Sequence, residues 1–296
     1  LPDPKNLPEL HQLTQYESVR LFIDRVLLVA PRFALSPENA PAIAQICYRL
    51  DGIPLALELA AVRARSMSVE QIMTHLDDRF RLLTGGSRTA LPRQQTLRAM
   101  IDWSYDLLTD SEKLLLRRLA VFMGGWTLEM AERVCADDGL DAFEILDLLS
   151  RLVDKSLVAM EEVEGGARYR ILETVRQYAR EKLFESGEGV EVRDRHRDVF
   201  LALGEEHGLE LEKGNPRDRF CILDAEQENI RAALMWSLDN KDAAGAMRFC
   251  NALDYYWTAR NLYKEASDFC TEALALVEKD DGQCKPAGYG LLLAAK

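Results

Sequence analysis

Apolar positions recur at helical spacing along most of the chain. In the first eighty residues they mark helices separated by Pro31 and by the pair Asp51-Gly52. A left-handed residue after the last apolar turn is a typical helix stop, and proline fits the first turn of the next helix because it has no N–H to leave unpaired. The pattern therefore predicts a rigid corner between two packed helices, with Pro54 in the first turn of the second.

Helix starts are marked by side chains that can satisfy unpaired N–H groups. A capping residue followed three positions later by Glu or Gln is the usual signature. It occurs at Thr14 to Glu17, Ser68 to Gln71, Thr109 to Glu112 and Asp141 to Glu144, and Ser36-Pro37 provides a further cap with proline at the first helical position. These positions predict a small helical bundle, followed by a second group of helices.

The period changes after residue 155. Two short stretches, Ser156–Met160 and Arg168–Ile171, flank Gly165-Gly166, and this arrangement is typical of a β-hairpin. Helices followed by a hairpin are the plan of a winged helix, in which the last helix before the hairpin is the candidate DNA-recognition helix.

The charge of that helix does not favour DNA binding. It carries three acidic and two basic side chains (Glu144, Asp147 and Asp154 against Arg151 and Lys155), and the hairpin adds Glu161, Glu162 and Glu164. Since phosphate contacts supply most of the non-specific affinity for DNA, we expect direct DNA binding by this module to be weak or absent.

The last hundred residues predict helical hairpins. Helices are expected from Ala243 to Ala259 and from Tyr263 to Val277. In the second, Ala266, Cys270 and Ala273 follow the small, bulky, small pattern of a tetratricopeptide helix, which indicates TPR-like packing. Repeats of this kind form concave surfaces, so a protein or small-molecule signal is the expected partner here.

The pattern as a whole predicts a mainly α fold in three parts. Residues 1–84 form a helical domain, residues 85–187 a winged helix with a short β-hairpin, and residues 188–296 a TPR-like region. The boundary between the first two parts is placed at the linker Gly85-Gly86-Ser87. The chain starts without Met and ends within an apolar pattern, which favours a piece of a longer protein.

The composition of the chain argues against several classes of function. The net charge is −12 and the pI about 5.0, which argues against a nucleic-acid or anionic-membrane surface. The six cysteines form no Cys-x-x-Cys pair and no apolar run reaches membrane-spanning length, so a cytoplasmic protein with free thiols is expected. The four histidines are scattered without metal-ligand spacing, and no nucleophile–base pairing is visible.

Three segments resemble the STAND and NB-ARC signal-transduction ATPases. They are Gly52-x-Pro54-Leu55, the segment from Ile101 to Phe122, and the segment from Tyr169 to Ala179, in the order in which the family has them. The sequence of residues 1 to about 275 is most similar to that of large bacterial regulatory ATPases, either of the LuxR/SARP type or linked to an adenylate cyclase.

This resemblance implies a nucleotide switch. In the family the proline touches the adenine of ATP or ADP, which gives this role to Pro54. The family's phosphate-sensing histidine and turn-holding aspartate fall at Leu172 and Glu173, although a leucine cannot donate to phosphate. No Gly-x-x-x-x-Gly-Lys-Ser/Thr is present, so this chain should not be an enzyme by itself, and the resemblance implies an upstream nucleotide-binding domain.

The resemblance further implies how the switch would act. The bound nucleotide clamps the winged helix, and a signal at the helical repeats releases it, permitting homo-oligomerisation and relay to an output domain. Two alternatives belong to other classes: a regulator that binds DNA through the winged helix, and a TPR-like interaction scaffold without a nucleotide. The acidic recognition helix argues against the first and the Pro54–Glu173 constellation against the second.

Overall fold

The computed structural model describes residues 1–2, 7–83, 92–163, 166–209, 211 and 216–279. The described residues are mainly helical. The helices of the N-terminal half are α1 (Leu10–Leu13), α2 (Glu17–Val29), α3 (Ala40–Arg49), α4 (Pro54–Ala61), α5 (Val69–Leu83), α6 (Pro92–Asp106), α7 (Asp110–Leu119), α8 (Leu128–Cys135) and α9 (Ala142–Asp154), with a 3-10 turn at Val62–Arg65.

The C-terminal half continues with α10 (Glu173–Ser186), α11 (Gly189–Gly208), α12 (Pro216–Ala225), α13 (Gln227–Asp239), α14 (Ala243–Ala259) and α15 (Tyr263–Lys279). Three short strands, β1 (Trp126–Thr127), β2 (Ala159–Val163) and β3 (Gly166–Arg170), form a sheet in the order β1-β3-β2. In the antiparallel β1–β3 pair, Trp126 is opposite Tyr169. The mainly α fold with a winged-helix hairpin is confirmed.

The chain divides into two compact units. The first contains residues 1–114, 147–159 and 171–178, and the second contains residues 115–146, 160–170 and 179–296. Residues of the winged helix therefore contribute to both units. The three-domain division at residues 84 and 187 stays a prediction, and the linker Gly85-Gly86-Ser87 lies outside the described residues.

The first unit is built around α4, which packs against α2 and α6. Leu57, Leu59 and Ala60 of α4 are fully buried, because the helix is apolar on nearly every side. The predicted corner before it is confirmed. Asp51 and Gly52 both have left-handed φ angles of 51° and 65°, and Pro54 is the first residue of α4.

Three of the predicted helix starts are confirmed. The Ser68 hydroxyl accepts from the Gln71 N–H at 3.3 Å, and the Gln71 side chain accepts from the Ser68 N–H at 2.8 Å. Thr109 and Glu112 make the same reciprocal pair at 3.3 and 2.8 Å. Asp141 caps α9 by accepting from the Phe143 N–H at 3.0 Å.

The expected capping box at Thr14 and Glu17 is wrong. α2 begins at Glu17 itself, after Tyr16, and no side chain caps it. The Thr14 hydroxyl instead donates to the His11 carbonyl at 2.9 Å, because the short helix α1 ends at this point.

The helix start at Ser36-Pro37 is also misplaced. Asn39 precedes α3, which begins at Ala40. The Asn39 side chain accepts from the Ser36 N–H at 2.9 Å and donates to the Ala34 carbonyl at 2.9 Å. These bonds hold residues 36–39 in a turn, so the helix starts after it.

The second unit is organised around α11, which packs against α8, α13 and α14. Val192, Phe200 and Leu201 of α11 are buried. α14 and α15 pack side by side as a helical hairpin, with α14 matching its predicted range and α15 ending two residues beyond Val277. Along the described residues, no helix has both the length and the apolar character needed to cross a membrane.

Candidate functional site

The winged helix begins with α7, whose capping box brings Glu112 into the protein interior. The Glu112 side chain is only 1% exposed. α8 then begins behind Thr127, whose hydroxyl accepts from the Met130 N–H at 3.4 Å. α9 follows and leads to β2 and β3. α9 is therefore the helix that would enter a DNA groove in a winged helix that binds DNA.

The surface of α9 is acidic. Glu144, Asp147 and Asp154 are exposed, and Arg151 is the single basic residue between Ala142 and Asp154. Asp154 lies 3.2 Å from Arg65 in an exposed ion pair of the first unit. The charged side chains of α9 itself are therefore exposed to solvent.

Lys155, the second base of the predicted recognition helix, is already engaged. Its Nζ donates to both carboxylate oxygens of Glu112 at 2.6 Å. Burial would raise the pKa of Glu112, but hydrogen bonds from Lys155 and Thr109 outweigh that effect and lower its pKa. Since Glu112 is buried and charged, withdrawing Lys155 to meet a phosphate would leave a carboxylate without its cation.

The basic side chains of the hairpin are engaged in the same way. Arg168 of β3 donates to Glu226 at 2.5 Å and to the Ala225 carbonyl at 2.8 Å. Arg170 forms an exposed ion pair with Glu161 of β2 at 2.5 Å. Glu164 and Gly165, predicted at the hairpin turn, lie outside the described residues.

Two apolar side chains add to the surface of α9. Phe143 is 92% exposed and Leu146 is 46% exposed. A phenylalanine in solvent among carboxylates offers nothing to a phosphate backbone, whereas aromatic side chains are enriched in protein interfaces. The chemistry of this helix therefore suits a protein surface better than DNA.

Pro54 occupies the corner as expected and is exposed to solvent. The corner is fixed by backbone bonds, because the Gly52 N–H donates to the Cys47 carbonyl at 3.1 Å and the Leu57 N–H donates to the Ile53 carbonyl at 3.0 Å. The pyrrolidine ring is thus presented on a rigid turn where a ligand could reach it.

Leu172 and Glu173 form the start of α10. Leu172 is 45% exposed, and its carbonyl accepts from the Arg176 N–H at 2.8 Å. Glu173 accepts two hydrogen bonds from the buried Arg176 guanidinium, at 2.7 and 2.8 Å. Glu173 is also the first residue of α10. This turn and Pro54 both belong to the first unit, each held by local contacts.

No pattern in the sequence predicts a buried polar cluster in the second unit. Asn229 of α13 accepts from the Met123 N–H at 2.7 Å and donates to the Gly125 carbonyl and to Glu226, both at 2.8 Å. His196 of α11 lies 3.4 Å from the same Asn229 oxygen. The cluster fixes the loop before β1 against α11 and α13, which makes it structural.

Metal binding finds no support in the part of the chain that the structure describes. No group of three or more His, Cys, Asp or Glu side chains is placed to hold an ion there.

Comparisons with known proteins agree with this architecture. Residues 108–184 match the family model of the winged helix-turn-helix domain. Over 250 residues the chain is 48% identical to the Mycobacterium tuberculosis protein named "Putative HTH-type transcriptional regulator Rv0890c", covering 84% of this chain and 28% of that protein. It is 45% identical over 182 residues to the "Uncharacterized protein Rv0894" of the same species, covering 61% of this chain and 46% of that protein. The chain thus spans less than half the length of these relatives.

Proposed function

We propose that this chain is the winged-helix and helical-repeat segment of a transcriptional regulator. The observation that carries the proposal is the winged helix-turn-helix domain at residues 108–184, together with 48% identity to a protein named as an HTH-type transcriptional regulator. Of the functions considered from the sequence, these comparisons favour the helix-turn-helix regulator over the ATPase switch.

Within that regulator, we assign the winged helix to protein contacts. The basic residues that a DNA-binding winged helix would turn towards phosphate all have carboxylate partners: Lys155 with the buried Glu112, Arg168 with the buried Glu226, and Arg170 with Glu161 in an exposed pair. What remains on α9 is one exposed arginine among three exposed carboxylates. Sequence-specific DNA contact would then come from elsewhere in the whole protein.

The regulatory role is tested in the cells from which the protein comes. The gene that contains this chain is deleted, and transcripts are compared with those of a strain carrying the tagged protein. Chromatin immunoprecipitation from the tagged strain locates its binding sites. We expect transcripts to change beside the bound sites. An unchanged transcript profile with no enriched sites would contradict the proposal.

Direct DNA binding by this winged helix is the second candidate, favoured by the match to the helix-turn-helix family model. Arg151 would have to carry it, since it is the one base on the exposed face of α9. Loss of a single phosphate contact should weaken binding uniformly across sequences and lower the salt dependence by about one counterion.

The nucleotide switch is a finer proposal that rests on the resemblance and on the exposed ring of Pro54. In this proposal, ATP or ADP held by an upstream domain contacts Pro54 and the Leu172–Glu173 turn. The bound nucleotide keeps the winged helix in a closed arrangement, and a signal at the helical repeats releases the winged helix. Homo-oligomerisation would follow release. The structure supports only the accessibility of Pro54 and its rigid backbone.

Pro54→Ala in the whole protein tests this finer proposal. Alanine is accepted in a helix first turn, so the melting temperature should change little, while ADP that copurifies with the protein should decrease. Leu55→Ala, at the next position, serves as a packing control. An unchanged amount of copurifying ADP in Pro54→Ala would show that Pro54 has no role in nucleotide binding. If the ADP content falls only in proportion to the melting temperature, the corner has a purely structural role.

A further inference from the structure

One arginine of the first unit is buried without a partner. Arg63, in the 3-10 turn after α4, is only 7% exposed, and its Nε and Nη2 atoms are both buried. Among the residues that the structure describes, none forms a hydrogen bond with these two atoms. Burial lowers the pKa of the Arg63 guanidinium, because the charged form loses its contact with water. A buried charge without a partner is costly, so the folded chain keeps this side chain at the expense of stability.

The carboxylate closest to Arg63 in the sequence is paired with another arginine. Glu58 of α4 accepts a hydrogen bond from the Arg25 Nε of α2 at 3.1 Å. Arg65, two residues after Arg63, is exposed and lies 3.2 Å from Asp154 in an ion pair. The exposed arginine of this turn therefore has an anionic partner, whereas the buried one has none among the described residues.

The two unpaired atoms of Arg63 are the same two that hold carboxylates elsewhere in this protein. Nε and Nη2 lie on one edge of the planar guanidinium and can donate two parallel hydrogen bonds to one anion. This edge donates to both oxygens of a carboxylate, at 2.7 to 2.9 Å, in three pairs: Arg176 with Glu173, Arg231 with Glu265, and Arg248 with Glu205. The unpaired edge of Arg63 therefore matches an anion that presents two oxygens, as a carboxylate or a phosphate does.

The Arg63 guanidinium is held on an aromatic ring. Its central carbon lies over Trp103 of α6, 5.7 Å from the ring centroid, and Trp103 is itself buried. The ring of His75 of α5, an exposed residue, lies 6.1 Å from the same indole, centroid to centroid. An aromatic face attracts the cation but accepts no hydrogen bond from the edge of its plane, so the Nε and Nη2 donors stay unsatisfied.

We propose that Arg63 is an anion-binding residue whose Nε–Nη2 edge takes the carboxylate or phosphate group of a small-molecule ligand. The ligand supplies two oxygen acceptors, and pairing the charge offsets the cost of burying it. Since this edge is covered in the structure, binding includes a movement of the side chains around it. The inference uses neither the winged helix nor Pro54, so it is independent of the functions proposed above.

The indole N–H signal of Trp103 in an NMR spectrum reports on the guanidinium above its ring. The purified chain is labelled with ¹⁵N, and the signal is assigned by its absence in Trp103→Phe. Sodium phosphate or sodium acetate is titrated while sodium chloride keeps the ionic strength constant. We expect the Trp103 signal to move and saturate, and the anion that saturates it at the lower concentration identifies the ligand class. The other three tryptophans lie in the second unit, and their signals are the internal reference (Trp126, Trp236 and Trp257).

Variants of the two arginines in this turn identify the group that binds the anion. Arg63→Met and Arg63→Lys should both lose the saturable movement, because lysine keeps the charge but has no edge with two parallel donors. Arg65→Gln is the matched control and should behave as wild type, since Arg65 is exposed and paired with Asp154. In sodium chloride alone, Arg63→Met should melt at a higher temperature than wild type, because it removes a buried charge without a partner.

Four results would overturn the proposal. The first is a Trp103 signal that neither anion moves in wild type, and the second is equal movement in Arg63→Met, which would place the anion elsewhere. The third is loss of the movement in Arg65→Gln, which would show that exposed charge alone attracts the anion. The fourth is a lower melting temperature of Arg63→Met, which would show that the guanidinium stabilises the fold without a ligand. If circular dichroism shows that Arg63→Met is unfolded, the titrations of Arg63→Lys and Arg65→Gln decide.

Discussion

His196 is a titratable side chain held neutral by its surroundings. It is 3% exposed, and its ring lies between Phe122 and Phe200, with centroids 5.3 and 4.5 Å away. Burial lowers its pKa from 6.5 to about 4, against the opposing hydrogen bond to Asn229. The imidazole therefore stays uncharged in the folded protein at pH values where the unfolded chain would bind a proton.

The sign of the resulting pH dependence follows from linkage. Above about pH 6.5 the His196 imidazole is neutral in both the folded and the unfolded state, so its contribution to the free energy of unfolding is at its maximum. As the pH falls towards about 4, the unfolded chain binds a proton that the folded protein does not, and the free energy of unfolding decreases. We expect the loss to reach about 3 kcal/mol at the lower end, measured by urea unfolding at several pH values.

A matched comparison isolates the histidine. His196→Gln should flatten this part of the pH profile even if it lowers stability overall. An identical slope in His196→Gln and wild type would show that other groups produce the effect.

Gly125 shows how one backbone position limits the loop before β1. Its φ angle is +111°, and an added Cβ would lie 2.8 Å from the Tyr169 carbonyl oxygen. Gly187 also has a positive φ, +80°, but an added Cβ there would meet nothing within 4 Å. The two glycines share backbone strain and differ in contact with neighbouring atoms.

We therefore predict that Gly125→Ala destabilises the protein more than Gly187→Ala. The second substitution should cost about 1 kcal/mol from backbone strain, and the first should exceed it by at least as much again because the β1–β3 pair must move. Thermal unfolding of both variants measures the difference. Equal losses would mean that the loop relaxes without cost.

At the scale of the elements, two basic residues near the C-terminal end of α9 differ in their role: Lys155 is paired with a buried carboxylate, and Arg151 is exposed. Glu112 holds Lys155 there, in the first unit. Lys155→Ala should cost roughly 3 kcal/mol, since it leaves a buried carboxylate without its cation. Arg151→Ala, on the exposed face, should stay within about 0.5 kcal/mol of wild type. Denaturant unfolding of the two variants checks this, and similar stabilities would contradict the assigned role of Lys155.

The sequence predicted elements best where a local signal decides them. The corner at Gly52 and Pro54, the capping boxes at Ser68 and Thr109, and the range of α14 follow from residues close in sequence. The failures at Thr14 and Ser36 arise because several local hydrogen-bond arrangements compete, and only the packed structure selects among them.

Long-range contacts could not be predicted from the sequence. Strand β1 has two residues and exists because Trp126 and Thr127 meet β3, more than forty positions away. The Asn229 cluster likewise joins loops and helices that no periodic pattern connects. For the candidate site, the charges of α9 could be counted in advance, but the pairing of Lys155 and Arg168 inside the protein could not.

At the scale of the whole molecule, the two units carry different parts of the proposal. The first contains the corner with Pro54 and the turn at Leu172 and Glu173, and the second contains the Asn229 cluster and the hairpin of α14 and α15. The chain covers 28% and 46% of the lengths of the two relatives named above.

A selection from random-sequence DNA duplexes with the purified chain tests this account most directly. Bound duplexes are sequenced, and any enriched sequence is titrated by fluorescence anisotropy at low and physiological salt. We predict no enriched sequence, and only weak binding that disappears as salt rises, because the exposed face of α9 is acidic. Arg151→Ala is compared with Arg133→Ala, an exposed arginine on α8. Tight binding to one sequence, lost in Arg151→Ala and kept in Arg133→Ala, would show that this winged helix binds specific DNA itself.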